Sequence, residues 1–125
     1  MNGYVSTEKS LLALEPAFRR VLATGVHSQI VAMTLQPGED IGLEVHDDGD
    51  QVFVFVSGGP IAVTVGEQVH DVAAGAVVLV PQGVWHNVAN AGDLPAWLLT
   101  VYAPAQHADG LVFRTKADAA HEHDH

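Results

Sequence analysis

The chain has 125 residues, no cysteine, 48% apolar residues and a net charge of −10, from 15 Asp or Glu against five Lys or Arg. This length supports one domain with its own core, and the lack of cysteine excludes disulfide and thiolate chemistry. A surface this acidic repels phosphate backbones, so we expect no nucleic-acid partner. The first ten residues lack the apolar region of a signal peptide, and no apolar run approaches the roughly 20 residues of a membrane span. We therefore expect a cytoplasmic protein that does not associate with membranes.

The elements predicted along the chain are almost all strands. Residues 1–24 are predicted to be a mixed N-terminal segment with one helical turn before Pro16, followed over residues 25–114 by short β-branched runs separated by Gly, Pro and Asp. Many short strands without intervening helices are typical of an all-β barrel or sandwich. Residues 115–125 are predicted to be a flexible tail that ends in three His alternating with Glu and Asp. The predicted strands are His27–Leu35, Ile41–His46, Gln51–Val56, Ile61–Val65, Val69–Val72, Ala76–Val80, His86–Ala89 and Trp97–Ala103.

Four polar side chains at predicted strand ends form a candidate metal site. Glu44 and His46, two residues apart, project from the same face of their predicted strand. An acidic turn then reverses the chain, so that Gln51 is predicted to lie across from this pair. Later in the chain, a Pro-Gln-Gly turn leads to His86. Two imidazoles, a carboxylate and an amide oxygen predict a site for a divalent ion such as Mn, Fe, Ni, Co or Zn, with positions left open for a ligand.

The same residues resemble the two motifs of the cupin superfamily. Its first motif is Gly, five residues, His-x-His, three or four residues, Glu, six residues and Gly. Its second is Gly, five residues, Pro-x-Gly, two residues, His, three residues and Asn. Two motifs in register are a specific signal, and the resemblance implies a double-stranded β-helix, which is a jelly-roll barrel. At the spacings of the first motif the chain has Gly38, Glu44-Val45-His46, Gln51 and Gly58, and at those of the second Gly75, Pro81-Gln82-Gly83, His86 and Asn90.

Within the superfamily, the chain is similar to small single-domain bacterial cupins described as mannose-6-phosphate isomerase-like. The shared sequence segments include Phe18-Arg19-Arg20-Val21-Leu22 and Tyr102-Ala103-Pro104. That description refers to the barrel, and a fold does not determine an activity. Few basic residues are available to neutralise a phosphate, and none lies within the predicted strands. A phosphorylated substrate is therefore not favoured.

The chain departs from the first motif at two positions, because Glu44 replaces the first His and Gln51 replaces the Glu. In one interpretation, Glu44 is a ligand that completes a triad with His46 and His86. In another, the metal is loose or absent and Glu44 is a general base with a raised pKa. His27, at the start of its predicted strand, is a second candidate for proton transfer. A third interpretation is a relic pocket whose polar groups only hydrogen-bond one another.

Three classes of function are compatible with this pattern. The first is a metal-dependent enzyme acting on a small polar metabolite, either isomerase-like or oxygenase-like. The second is a non-catalytic sensor or binding module for a small ligand, and the third is a structural barrel. Phe53 and Trp85 are predicted to belong to the core or to wall a ligand site. The strands Gln51–Val56 and Ala76–Val80 are apolar on both faces, which predicts a homodimer formed through strand faces.

Overall fold

The computed structural model of the chain describes residues 2–120, and the regular secondary structure of this range consists mainly of antiparallel strands. Seven of the eight predicted strands correspond to β2–β8 of the structure, so the all-β prediction is confirmed. No helix in the described range is long and apolar enough to cross a membrane. In chain order the elements are α1 (Glu8–Leu12), β1 (Arg19–Thr24), β2 (Gln29–Leu35), β3 (Asp50–Ser57), β4 (Ile61–Val65), β5 (Gln68–Val72), β6 (Val77–Val80), β7 (His86–Asn90), β8 (Ala96–Ala103), β9 (Val112–Phe113) and α2 (Lys116–Ala119).

The strands form two sheets that enclose one core. A six-stranded sheet has the order β6-β3-β8-β2-β1-β9, and a three-stranded sheet has the order β5-β4-β7. Alternate residues of β3 and β8 point inward, so that Phe53, Phe55 and Leu98 are fully buried and meet Ile61 and Val63 of the smaller sheet. Removing these apolar side chains from water is the main stabilising term of the fold. The arrangement is a double-stranded β-helix.

The segment predicted as the strand Ile41–His46 is not a regular strand. Gly42 adopts a φ of 94°, a conformation that residues with a Cβ rarely adopt, and the extended run is broken there. Single bridges connect the segment to β7, at Asp40 with Ala89 and at Glu44 with His86. The predicted hairpin between this segment and β3 is therefore wrong, since β3 pairs with β6 and β8 instead.

The larger sheet begins earlier in the chain than the predicted boundary at residue 25. Strand β1 pairs with both β2 and β9, so part of the predicted N-terminal segment belongs to the barrel. This strand was not predicted from the sequence because Arg19 occupies an inward position, and a buried arginine is uncommon. Its side chain is 2% exposed, and its guanidinium lies 5.2 Å from the centroid of the Phe18 ring.

The predicted tail also contains folded structure at its start. Thr115 and Asp118 form a capping box at the beginning of α2, with each side chain bonded to the other's backbone nitrogen. Ala119 in the same helix is buried against the core. The part of the prediction that concerns residues 121–125 lies outside the described residues.

Candidate metal site

Glu44 and His86 face each other across a reciprocal pair of backbone hydrogen bonds. The nitrogen of Glu44 donates to the carbonyl of His86, and the nitrogen of His86 donates to the carbonyl of Glu44, both at 2.9 Å. Directly opposed residues of an antiparallel bridge project their side chains from the same face. The backbone bridge therefore fixes the register of Glu44 and His86.

His46 is held in place by the turn that precedes His86. Gly83 adopts a φ of 81°, and its nitrogen donates to the carbonyl of His46 at 2.8 Å. The side chain of Gln82 donates to the carbonyl of Asp47 at 2.6 Å, and the backbone nitrogen of Gln82 donates to the carboxylate of Asp50 at 2.9 Å. The Pro-Gln-Gly turn therefore anchors the loop that carries His46.

The side chains of Glu44, His46 and His86 meet in one cluster. Each offers a ligand atom, and these atoms all lie within 4.8 Å of one another. Nε2 of His46 lies 3.6 Å from Oε2 of Glu44, and the two imidazole centroids are 5.4 Å apart. Two atoms bound to one ion at about 2.1 Å can be no more than about 4.2 Å apart, so small side-chain rotations would bring all three onto an ion.

The protonation state of His86 suits a metal ligand. Its Nδ1 lies 3.0 Å from the carbonyl of Val84, which fixes Nδ1 as the donor and leaves the lone pair on Nε2. Burial lowers the pKa of His86 below its usual range, so the neutral imidazole is favoured. Within residues 2–120, Nε2 of His46 and Nε2 of His86 are both buried without a hydrogen-bond partner. Buried polar atoms left this way are costly unless a further group binds them.

Gln51 lies on the inward face of β3 with Phe53, whose ring centroid is 6.0 Å from that of His86. Its Nε2 donates to Oγ1 of Thr100 at 2.8 Å. Its Oε1 is buried and has no hydrogen-bond partner in the described part of the chain. Backbone pairing of Gln51 with Val80 of β6 and Tyr102 of β8 fixes its position in the sheet. Its role as a fourth ligand stays a prediction.

A cavity of about 470 Å³ borders Glu44 and His46. Trp85 stands at its wall and is 52% exposed, so it belongs to the cavity, whereas Phe53 belongs to the core. A second cavity, of about 360 Å³, also reaches Glu44 and is bordered by Arg19 and Lys116. Of the described residues, those that line the larger cavity include no Lys or Arg: Leu43, Glu44, Val45, His46, Asp47, Asp48, Trp85, Gln106 and His107.

Sequence reasoning missed His107 and Tyr102. The Tyr102 ring makes edge contacts with His46 and with His107, at centroid distances of 5.6 and 4.9 Å. Gln29 clamps the backbone of His107, because its Nε2 donates to the His107 carbonyl at 2.8 Å and its Oε1 accepts from the His107 nitrogen at 3.1 Å. The available signal was Gln29 itself, a polar residue in line with the apolar residues Val31, Met33 and Leu35 on the same face of β2.

His27 does not join this group. It is exposed, lies in the turn between β1 and β2, and lines neither of the two cavities. Its predicted part in proton transfer therefore gains no support from its position and stays a prediction.

The family described as "Cupin domain" matches residues 31–102, a range that contains β3, the cluster and most of both sheets. The chain belongs to the cupin family. The match includes both motif regions, and the structure adds that the second-motif turn and His86 hold the first-motif residues in place. Two buried imidazole nitrogens beside a carboxylate fit a divalent metal, because imidazole and carboxylate are common ligands of such ions.

This cupin is similar to proteins from several organisms. It is 43% identical over 111 residues to the uncharacterized protein YrkC of Bacillus subtilis. The match covers 82% of this chain and 58% of YrkC, so the chain spans less than two thirds of the length of YrkC. An uncharacterized protein of Acanthamoeba polyphaga mimivirus is 36% identical over 112 residues, which cover 87% of the chain and 70% of that protein. A crystal structure from Bacillus halodurans matches with a TM-score of 0.89 and 39% identity, over 95% of this chain and 93% of the other.

Proposed function

We propose that this cupin is a metal-dependent enzyme for a small polar metabolite, with a divalent ion (Mn, Fe, Ni, Co or Zn) held by Glu44, His46 and His86. The observation that carries the proposal is the convergence of three ligand atoms within 4.8 Å, two of them buried imidazole nitrogens. Gln51 is proposed as a weaker fourth ligand, because a neutral amide oxygen binds such ions less well than imidazole or carboxylate. When bound, the ion supplies a Lewis-acidic centre with open positions.

Glu44 is the residue of the cluster that is proposed to move a proton. It borders both cavities, and a carboxylate has two oxygens, so one can bind the ion while the other accepts a proton from a substrate. The alternative is that Glu44 acts only as a general base. A Glu44→Gln variant separates the two: as a ligand, Glu44 contributes to metal affinity, whereas as a base alone it contributes to turnover with the affinity unchanged.

The charges around the larger cavity favour an uncharged polar or cationic substrate. Glu44, Asp47 and Asp48 line it, and no Lys or Arg is found among its described lining residues. A phosphate group would be repelled there, which argues against mannose 6-phosphate in spite of the resemblance to proteins described by that name. A volume of about 470 Å³ suits a small metabolite.

Two assays test the proposed chemistry on protein lacking residues 121–125 (the tail-deleted protein), loaded with each of the five metals. An isomerase-like enzyme should incorporate solvent deuterium next to the carbonyl of unphosphorylated aldoses or ketoses, measured by mass spectrometry, with the phosphorylated sugars as matched controls. An oxygenase-like enzyme should consume oxygen when loaded with Fe(II) and offered small polar carbonyl compounds. If neither activity exceeds that of the His86→Ala variant with any metal, the enzymatic proposal fails.

The proposal includes a homodimer formed through the outer face of the six-stranded sheet. Two cross-strand rows on this face are apolar on four neighbouring strands, and β6 at the sheet edge leaves Val77 and Leu79 66% and 60% exposed. Ala32 in β2 is already buried within one chain, so the uncovered part of this apolar face lies towards β6. Apolar faces that continue across neighbouring strands are uncommon on the surface of a monomer. The first row is Leu79, Val52, Val101 and Ile30, and the second is Val77, Val54, Leu99 and Ala32.

A second copy of the chain is the proposed occupant, and the contact would have to be made through surfaces that carry no charge. Each copy carries a net charge of −10, so its charged surfaces repel those of another copy. Both rows lack charged residues, and a two-fold axis would place the same rows of two copies against each other.

A further inference from the structure

A buried glutamine in β2, Gln29, uses its whole side-chain amide to hold the loop that follows β8. The residue is 1% exposed. Its Oε1 accepts from the backbone nitrogens of Gln106 and His107 at 3.3 and 3.1 Å. Its Nε2 donates to the carbonyl of His107 at 2.8 Å and to Oγ1 of Thr24 at 2.9 Å. All but the Thr24 bond end on the loop, so Gln29 fixes the backbone that carries His107.

The loop held by Gln29 forms one wall of the larger cavity. Gln106 and His107 both line this cavity of about 470 Å³. The ring of His107 makes an edge contact with Tyr102, and the same tyrosine ring contacts His46, a proposed metal ligand. The backbone clamp and the tyrosine ring therefore place the imidazole of His107 on the cavity that borders the metal cluster.

The two polar side chains of this wall differ in what they offer a ligand. The side-chain nitrogen of Gln106 donates to Oδ1 of Asp48 at 3.1 Å and to the carbonyl of Pro104 at 3.3 Å, so it is engaged within the protein. A neutral imidazole has one nitrogen that donates and one that accepts, which matches a hydroxyl group, because a hydroxyl also does both. Since no Lys or Arg is found among the described lining residues, an uncharged hydroxyl suits this wall better than an anion does.

We propose that His107 binds a hydroxyl group of the substrate and that Gln29 positions His107 for this contact. The inference rests on the proposed function and narrows its substrate class to uncharged polyhydroxy ketones or aldehydes. The carbonyl and the adjacent hydroxyl of such a compound can occupy open positions on the ion, and a hydroxyl further along the carbon chain binds His107. His107 is then a specificity-determining residue, and Gln29 is a positioning residue that acts through it.

The test compares two uncharged probes on the full chain loaded with Co²⁺. Hydroxyacetone has only the carbonyl and its adjacent hydroxyl, whereas erythrulose has the same pair and further hydroxyls along its carbon chain. Titrations followed by the visible absorption of bound Co²⁺ give the dissociation constant of each probe. The His86→Ala variant gives the background from ions held elsewhere in the chain, and circular dichroism checks that each variant is folded.

The parent should bind erythrulose about fivefold more tightly than hydroxyacetone, which is the effect of roughly one hydrogen bond. His107→Ala should abolish this preference and bind hydroxyacetone as the parent does. His107→Phe, which keeps an aromatic ring against Tyr102 without its nitrogens, should give the same result. An unchanged affinity for hydroxyacetone separates the loss of a substrate contact from general damage to the site.

Gln29→Met should also abolish the preference. Exchange of the His107 amide proton, followed by NMR, should become faster in this variant because the acceptor of that proton is gone. Gln29→Glu should keep the preference, since a buried carboxyl group that is protonated supplies both an acceptor and a donor to the loop. Thr24→Val is the matched control, because it removes the one Gln29 contact that does not end on the loop, and it should keep the preference.

Four results would overturn all or part of the inference. A preference that survives in His107→Ala, with Co²⁺ and hydroxyacetone bound as in the parent, would reject the role of His107 and leave the proposed function intact. A preference that survives in Gln29→Met would reject Gln29 as the positioning residue. A parent without any preference would reject the substrate class. A parent that takes up no more Co²⁺ than His86→Ala does would reject the proposed metal site and the inference with it.

Discussion

At the scale of single residues, the site depends on which nitrogen of each imidazole is available. The Val84 carbonyl occupies Nδ1 of His86, and Nε2 remains for an ion. The sequence predicted that Glu44 and His46 share a face and that His86 joins them, and the clustering is confirmed. It could not predict the Val84 contact or the edge contact between Tyr102 and His46, because both depend on how distant segments pack.

Gln51 provides a test at this scale. Gln51→Ala should weaken metal binding less than His86→Ala does, because an amide oxygen is the weaker ligand. Gln51→Glu should strengthen binding, because it places a carboxylate where the family motif has one, and the Thr100 hydroxyl can donate to it as it now accepts from Nε2. Isothermal titration of the tail-deleted proteins with Mn²⁺ measures both effects.

Thr100→Val is the matched control for the Gln51 variants. It removes the hydrogen bond that orients the amide and keeps the volume of the side chain close to its original value. If Gln51→Glu binds Mn²⁺ no better than the parent, or if Gln51→Ala loses as much affinity as His86→Ala, the proposed fourth-ligand role is wrong.

At the scale of elements, the sequence predicted strands well where apolar and polar side chains alternate. It predicted elements less well where the backbone conformation of one residue or a single tertiary contact determines the structure. The run Ile41–His46 has the composition of a strand, but Gly42 breaks it, and its partner is β7 and not β3. Strand β1 was missed because of the buried Arg19, and α2 was missed because only four residues are helical. Helices this short depend on tertiary contacts such as the one between Lys116 and Asp40, which no local pattern reveals.

The Asp40 contacts predict a pH dependence of stability. The hydrogen bond from Asn87, and then the Lys116 contact, hold the pKa of Asp40 below its usual value of 3.8. The unfolded chain therefore takes up this proton at higher pH than the folded chain does, so the contribution of Asp40 is present above about pH 4 and is lost as the pH falls through the folded pKa. Asp40→Asn should lower the free energy of unfolding at pH 7 by up to about 1 kcal/mol.

Urea unfolding of the metal-free proteins checks this expectation from neutral pH down to about pH 3. The difference between parent and Asp40→Asn should shrink as the pH falls below about 4. Asp71→Asn on the exposed strand β5 removes the same charge and controls for the change in net charge. A difference that stays constant or grows towards low pH would contradict the assigned role of Asp40.

At the scale of the whole molecule, the outer face of the six-stranded sheet carries apolar residues that the fold of a single chain leaves partly exposed. The sequence indicated this face through the two-sided apolar character of β3 and β6, but it could not show that four strands align their apolar residues in register. Register depends on pairing between β3, β6 and β8, whose order in the sheet differs from their order in the chain.

The homodimer is tested by substitutions on that face. Light scattering at micromolar concentration should give twice the chain mass of 13.2 kDa for the parent, and a shift towards 13.2 kDa for Leu79→Glu. The reason is that a carboxylate in the centre of an apolar contact is costly to bury. Val69→Glu is the matched control, because Val69 is about as exposed but lies on β5 of the other sheet. A monomeric parent, or equal effects of both variants, would reject the proposed interface.

The central claim is that the barrel itself binds one divalent ion, and the most direct test is the metal content and thermal stability of protein lacking residues 121–125. The parent should retain about one ion per chain, and free metal at 100 times its dissociation constant should stabilise it by about 2.7 kcal/mol. His86→Ala, with His46→Ala as a second variant, should lose both the ion and the stabilisation while remaining folded. If the tail-deleted parent holds no ion and gains no stability with Mn, Fe, Ni, Co or Zn, the metal site is contradicted.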